Sequence, residues 1–201
     1  RLNEMTKEDV FPLPRMEETI QQLSGSTIFS CLDSAGAFHA IPVHPESKEK
    51  AAFCSPLGLY QLRMMAFGLK NSPAIYARVV EKALAHLPGY FHLVYLDDVI
   101  IHSKTPEDHL VHLEAVLQAH YQAGMKLKLK KCFIAQSQVQ YLGHMVSKDG
   151  NEMVPSYAER VLKWPLPQTP AELRSFLGVT GYYRSFIPNY ANLTAEMEGM
   201  K

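Results

Sequence analysis

The sequence predicts an α+β domain, an antiparallel sheet with helices packed on one face, followed by an all-helical tail. Three observations carry that prediction. Apolar, β-branched and aromatic residues flank Asp97-Asp98 on both sides, with Phe91, Leu93, Val94 and Tyr95 before the pair and Val99, Ile100 and Ile101 after it. This pattern reads as two strands that reverse at the acids. Ser72-Pro73, Thr105-Pro106 and Thr169-Pro170 each open a stretch of helical spacing, with the hydroxyl residue as N-cap and proline at the first helical position. Strand-like and helix-like segments alternate up to about residue 147, and only helices follow.

Taken in order, residues 1–14 hold charged and proline-containing sequence and end in Phe11-Pro12-Leu13-Pro14, which is expected to be extended. Residues 15–24 place Met16, Ile20 and Leu23 at helical spacing. A strand follows over Thr27–Leu32 and closes on Asp33, after which Ser34, Ala35, Gly36 and Ala37 are all small. Ile41 to Tyr60 reads as a β-rich excursion punctuated by Pro42, Pro45, Pro56 and Gly58. The helix from Ser72 is expected to reach about His86, where Pro88-Gly89 stops it. The acidic hairpin occupies roughly 90–103. The next helix has Glu107 and Asp108 favourably placed on its dipole and ends at Gly124. Residues 125–134 alternate Lys126, Lys128 and Lys130 with Leu127 and Leu129 and read as a basic strand. Val139 to Val146 forms a short hairpin, and helices are expected over 155–164 and 170–187.

Bulk properties narrow the function classes. With 47% hydrophobic and 20% charged residues the chain is globular, and no apolar run approaches a membrane span. Cys31, Cys54 and Cys132 form no metal-type pair, and an odd number argues against a disulfide framework, so a reducing, intracellular setting is expected. Net charge is zero, yet residues 1–120 hold 10 Lys/Arg against 14 Asp/Glu, and residues 121–201 hold 10 against 6. An acidic site in one part and a basic surface in the other suit a metal-dependent enzyme that grips a polyanion. The chain begins at Arg1 and is expected to be a piece of a longer protein.

Two adjacent carboxylates with no basic neighbour in sequence repel each other, and a divalent ion would relieve that repulsion; a solvated acidic turn is the alternative. Asp33 is the best third carboxylate, because it closes an apolar strand at the edge of the same sheet; a strand-terminating cap is the alternative there. Two metal ions about 3.5–4 Å apart, bridged by such acids, stabilise the attacking and leaving oxygens of an in-line phosphoryl displacement. His109, His112 and His120 share one predicted helix with Glu114 nearby, but a zinc site needs three or four converging ligands, and a polar helix face accounts for them. Cys132 is expected to be a buried small residue.

Five segments in order resemble the reverse transcriptases of retroviruses and of gypsy-like LTR retrotransposons. Phe29-Ser30-Cys31-Leu32-Asp33 resembles the family's first catalytic-aspartate strand, and Met65–Ala74, reading MAFGLKNSPA, resembles its template and nucleotide motif. Tyr95-Leu96-Asp97-Asp98 matches the catalytic hairpin, Tyr141-Leu142-Gly143-His144 resembles the primer grip, and Thr169–Gly178 resembles the start of the thumb. The resemblance implies a right-hand polymerase palm with partial fingers over about 41–70 within residues 1–147, and a truncated helical thumb over 148–201. It implies template-directed DNA synthesis from dNTPs on an RNA or DNA template with a DNA primer, within a Pol polyprotein that also has RNase H.

Carried over residue by residue, Asp33, Asp97 and Asp98 become ligands of two Mg²⁺, with Mn²⁺ as a substitute. Phe38 falls at the steric gate against a ribose 2′-hydroxyl, Phe67 and Gly68 fall at the incoming base pair, and Lys131 falls near a lysine proposed as proton donor to pyrophosphate. Tyr141, Leu142 and Gly143 become the primer grip. Arg174, Tyr182, Tyr183 and Arg184 either track phosphates of the duplex or, for the aromatics, form the thumb's own small core. The setting implied is the cytoplasm, a virus-like particle or the nucleus, with no membrane association. Two departures are Gly36-Ala37-Phe38-His39-Ala40 in place of a Gly-Tyr-His-Gln-type run, and Ala66 where the family commonly has proline. Basic finger residues that bind the triphosphate are expected to precede Arg1. A catalytically inactive, retroelement-derived fragment that only binds nucleic acid or persists as a structural remnant is the alternative function.

Overall fold

Residues 2–12 and 14–200 are described by a computed structural model, in which the chain divides into two compact units. The first comprises residues up to 139 together with 147–149, and the second comprises 140–146 and 150 onward.

In the first unit a short helix, α1 (Leu2–Met5), and α2 (Met16–Gln22) precede strand β1 (Ile28–Asp33). A small hairpin, β2 (Phe53–Ser55) with β3 (Gly58–Tyr60), leads to helix α3 (Ser72–Leu84). Strands β4 (His92–Tyr95) and β5 (Asp98–Ser103), helix α4 (Pro106–Gln122) and strand β6 (Phe133–Gln136) follow. The sheet order is β4-β5-β1-β6, with antiparallel neighbours throughout. Alternation along β1 and β5 sends Leu32, Val99 and Ile101 to one face, where they join Tyr76, Val80 and Leu84 of α3 and Val116 and Ala119 of α4. Asp33 and Asp98, one residue out of step with that set, project from the opposite face. The predicted α+β architecture, helices on one face of an antiparallel sheet, is therefore present.

Several local expectations are corrected. Ser72 is the first helical residue rather than the cap: its hydroxyl donates to the Ala66 carbonyl, 3.0 Å, and Asn71 before it makes no capping bond. Asn71 is engaged instead with the N-terminal segment, donating to the Lys7 carbonyl and accepting from the Asp9 amide. Asn3 clasps the same loop through the Gly68 carbonyl and the Lys70 amide, and Arg78 pairs bidentately with Asp9. The first residues are thus a helix and a clasp, and Phe11, Pro12 and Pro14 carry no helix or turn; Arg1 and Leu13 lie outside the described residues. Residues 41–60 hold β2, β3 and an isolated bridge from Pro42 to Met64, as the β-rich reading expects, with 3-10 turns at Pro45–Ser47 and Glu49–Ala51 between them. The basic segment 125–134 is instead a 3-10 turn, Leu129–Lys131, running into β6.

The histidines of α4 are not a solvated face. His109 and His120 are each 2% exposed. Nε2 of His109 lies 2.7 Å from the Ser30 hydroxyl and Nδ1 lies 3.0 Å from the Ser103 hydroxyl, which in turn lies 2.8 Å from Nδ1 of His112. Ser30 also accepts from the Ala135 amide, 2.9 Å, tying α4, β1 and β6 together. Donors and acceptors match along this chain when His109 is neutral with its proton on Nδ1. Burial holds the His109 pKa below its ordinary value, in agreement with that state.

The second unit contains a three-stranded sheet in the order β7 (Gln138–Tyr141), β8 (His144–Ser147) and β9 (Gly150–Met153), with the first two residues of β7 grouped in the first unit. Helices α5 (Pro155–Leu162), α6 (Pro170–Tyr182) and α7 (Tyr190–Glu198) complete it. Thr169 caps α6 by accepting from the Glu172 amide, as expected. The expected helix to 187 stops at Tyr182, and a 3-10 turn, Arg184–Phe186, follows. Pro188 forces Ile187 into extended backbone, and Asn189 at φ 56° turns the chain into α7.

Candidate active site

The hairpin of β4 and β5 pairs Tyr95 with Asp98, leaving Leu96 and Asp97 as a two-residue loop. Leu96 sits at φ 58°, a left-handed conformation that costs a branched apolar residue about 1–2 kcal/mol. That bend carries Asp97 at the tip, while Asp98 is already the first residue of β5. On the other side of β5, Asp98 stands directly opposite Asp33 of β1. Residues directly opposite on antiparallel strands have Cβ atoms about 4.5–5.5 Å apart, so register alone makes these two carboxylates neighbours.

The electrostatics agree with the geometry. The Asp98 carboxyl is pushed above its ordinary range, first by the desolvation the sheet imposes, then by the charges of Asp97 and Asp33; Lys131 pulls the other way. The Lys131 ammonium is 3.3 Å from Oδ2 of Asp33. Asp33 is also held by its backbone: its carbonyl accepts from the Lys128 amide, 2.9 Å, and its amide donates to Sγ of Cys132, 3.4 Å. Cys132 is therefore a half-buried residue with a bonding role at the site. These are hard oxygen donors of the type that Mg²⁺ and Mn²⁺ take. Among the described residues no three acids, histidines or cysteines converge on one point.

Phe38 and Phe67 meet beside this edge, their ring centroids 5.0 Å apart, and Phe38 also rests against Tyr76 of α3 at 5.7 Å. Phe67 is 63% exposed, so one side of this pair faces solvent. Gly68 has φ 82° with open space where a Cβ would lie, so backbone conformation is what requires glycine there. Tyr76 was missed by reasoning from motifs. Its hydroxyl is buried, and its pKa is raised first by burial and also by the charges of Asp97 and Asp33. The signal for it was the apolar spacing of Tyr76, Val80 and Leu84 on α3.

In the second unit, Leu142 at φ 44° and Gly143 at φ 71° form the turn between β7 and β8. Tyr182 donates to the Leu142 carbonyl at 2.7 Å, and Tyr183 donates to the Gly143 carbonyl at 3.1 Å. Both hydroxyls of α6 and its end are thereby committed to the turn, and a Cβ at Gly143 would meet them at 3.2–3.3 Å. Tyr141 is buried beside this turn. Tyr141 and Tyr183 are buried, whereas Tyr182 is 38% exposed with its hydroxyl held by the turn.

Comparisons with known proteins give a consistent answer. A family model described as reverse transcriptase (RNA-dependent DNA polymerase) matches residues 1–146. The chain is 39% identical over 197 residues to the retrovirus-related Pol polyprotein from transposon 297 of Drosophila melanogaster, covering 98% of this chain and 19% of that protein. It is 34% identical over 199 residues to the transposon Tf2-3 polyprotein of Schizosaccharomyces pombe, covering 99% of this chain and 15% of that protein. The chain therefore spans less than a fifth of the length of these relatives. Among solved structures it resembles the foamy viral protease-reverse transcriptase in complex with double-stranded DNA, with a TM-score of 0.91, 25% identity, and coverage of 98% of this chain and 35% of that one. The same viral protein in complex with an RNA/DNA hybrid superimposes with a TM-score of 0.86 and 25% identity, over 98% of this chain and 27% of that one. With a family match across most of its length and polyprotein relatives aligned almost end to end, this chain belongs to the reverse transcriptase (RNA-dependent DNA polymerase) family.

Proposed function

We propose that the chain is the catalytic palm, with part of the fingers over about 41–70 and the start of the thumb from residue 148, of a retroelement Pol polyprotein that copies an RNA or DNA template from a DNA primer and dNTPs. The observation that carries this reading is the cross-strand register of Asp33 with Asp98, with Asp97 held at the adjoining turn. Asp33, Asp97 and Asp98 are the residues to hold two Mg²⁺, or Mn²⁺ in their place. Bound there, the ions would supply activation of the primer 3′-hydroxyl and neutralisation of charge on the leaving pyrophosphate.

The chain's own residues do the positioning. Leu96 bends the loop so that Asp97 and Asp98 stand on the edge that Asp33 reaches. Phe38, supported by Phe67 and Tyr76, is the ring to exclude a ribose 2′-hydroxyl. Gly68 and Phe67 shape the place of the incoming base pair. The turn at Leu142-Gly143, with Tyr141 beside it, orients the primer end. Lys131 supplies a cation near the phosphates. Arg174 and Arg184 offer cations for the duplex backbone. The foamy viral protein has been captured with double-stranded DNA and with an RNA/DNA hybrid, which supports a duplex as the partner. The rest of the polyprotein, including an RNase H, completes the enzyme. No described helix is long and apolar enough to cross a membrane.

Primer extension by the polyprotein that contains this chain tests the reading. Asp97→Asn/Asp98→Asn is expected to lower extension on RNA and DNA templates at least a thousandfold while leaving duplex binding in EDTA unchanged. Equal extension by parent and variant sinks the mechanism. Duplex binding with no extension by either protein favours a nucleic-acid-binding remnant instead.

A further inference from the structure

We propose that Lys131 is the built-in counter-ion of the carboxylate cluster and competes with the divalent ion for Asp33. The inference rests on the reading of Asp33, Asp97 and Asp98 as metal ligands, and it concerns how that site exists before an ion arrives. Three carboxylates at one sheet edge need positive charge nearby, and Lys131 provides it at 3.3 Å from Asp33. Its charge also reaches Asp98, where it opposes the effect of the neighbouring acids. One ammonium therefore serves two of the three ligands.

The backbone delivers that ammonium by a specific device. Residues 128–132 are folded into a 3-10 turn, with the Lys131 amide donating to the Lys128 carbonyl at 2.8 Å and the Cys132 amide donating to the Leu129 carbonyl at 3.1 Å. The turn is fastened to Asp33 on both sides, through the Lys128 amide and through Sγ of Cys132. The residue between those two fastenings that reaches the carboxylate is Lys131. Its side chain is 58% exposed and that of Asp33 is 30% exposed, so the ammonium can leave for solvent without being buried on the way. Exchange of one cation for another is thus open to this pair, while the turn keeps the lysine within reach. Lys131 is in this sense a positioning residue: with no ion bound its ammonium occupies Oδ2 of Asp33, and an arriving ion must displace it.

The test is Mn²⁺ titration of the chain itself, followed by electron paramagnetic resonance, without primer or nucleotide. Lys131→Met is expected to tighten Mn²⁺ binding roughly three- to tenfold, since a unit charge close to a divalent ion near the protein surface is removed. Lys131→Arg should leave affinity within about twofold of the parent, and so should Lys130→Met at the adjacent position. In EDTA, Lys131→Met is expected to lower the thermal midpoint, and the loss should shrink when Asp33→Asn is already present. Unchanged or weaker Mn²⁺ affinity in Lys131→Met, or a thermal loss undiminished by Asp33→Asn, overturns the proposal alone. Mn²⁺ binding that ignores Asp33→Asn, Asp97→Asn and Asp98→Asn, or no binding in any of these proteins, overturns the metal reading as well.

Discussion

Gly143→Ala puts the architecture of the second unit to a quantitative test. Gly143 lies at φ 71°, where alanine is disfavoured by about 1 kcal/mol. The new Cβ would lie 3.2 Å from the Tyr182 hydroxyl and 3.3 Å from that of Tyr183. Those hydroxyls hold the Leu142 and Gly143 carbonyls, and each such bond contributes about 1 kcal/mol. If the rings yield by a few tenths of an ångström and keep both bonds, the loss stays near 1 kcal/mol; if both bonds break, it reaches about 3 kcal/mol. The chain has one tryptophan, Trp164, packed edge-on against Phe176 in this same unit. Its fluorescence during urea unfolding therefore reports the second unit, while far-ultraviolet circular dichroism reports both. The fluorescence midpoint should fall by the equivalent of about 1–3 kcal/mol. In a Tyr182→Phe/Tyr183→Phe background, which lacks both hydroxyls and leaves only the ring edge of residue 182 at 3.3 Å, the same substitution should cost less than in the parent, approaching the backbone share of about 1 kcal/mol. An unchanged midpoint, or a larger cost in that background than in the parent, refutes the account.

Three further predictions concern the first unit. Ser30→Ala orphans the Ala135 amide and Nε2 of His109 in a fully buried place, so urea denaturation followed by circular dichroism should show a loss of about 2–4 kcal/mol. Burial pushes the His102 pKa down to about 4, while the unfolded chain titrates near 6.5. Between those values the unfolded state binds the extra proton, so the contribution of neutral His102 is complete above pH 6.5 and is lost as pH falls to about 4. Urea midpoints measured from pH 7.5 down to 4.5 should decline more steeply in the parent than in His102→Asn, and parallel profiles would contradict this. Phe38→Val removes the ring that Phe67 and Tyr76 support, and single-nucleotide incorporation should show the preference for dNTPs over NTPs falling roughly tenfold or more; an unaltered ratio would remove Phe38 from the gate.

The sequence by itself determined the acidic hairpin and the main helices, because those signals are local. Alternation around Asp97-Asp98 admits one reversal, and Thr105-Pro106 and Thr169-Pro170 start helices through bonds made within three residues of the cap. The ordered motifs likewise identified the family, since spacing along a chain is visible without a fold. Tertiary structure decided what depends on partners distant in sequence. His109 and His120 look like a polar helix face until strands 79 residues away in one case place Ser30 beside the ring. Residues 125–134 alternate like a strand, yet the Asp33 backbone and Cys132 draw them into a turn, an arrangement no periodicity encodes. The helix after Thr169 was legible at its start and not at its end, where Pro188 acts on Ile187 and Tyr183 is drawn to the Gly143 carbonyl 40 residues back. The carboxylate pair itself shows the same division. Asp97 and Asp98 were evident in the sequence, but only the register of β1 on β5 brings Asp33 opposite Asp98, and only the turn fastened to the Asp33 backbone sets Lys131 against it.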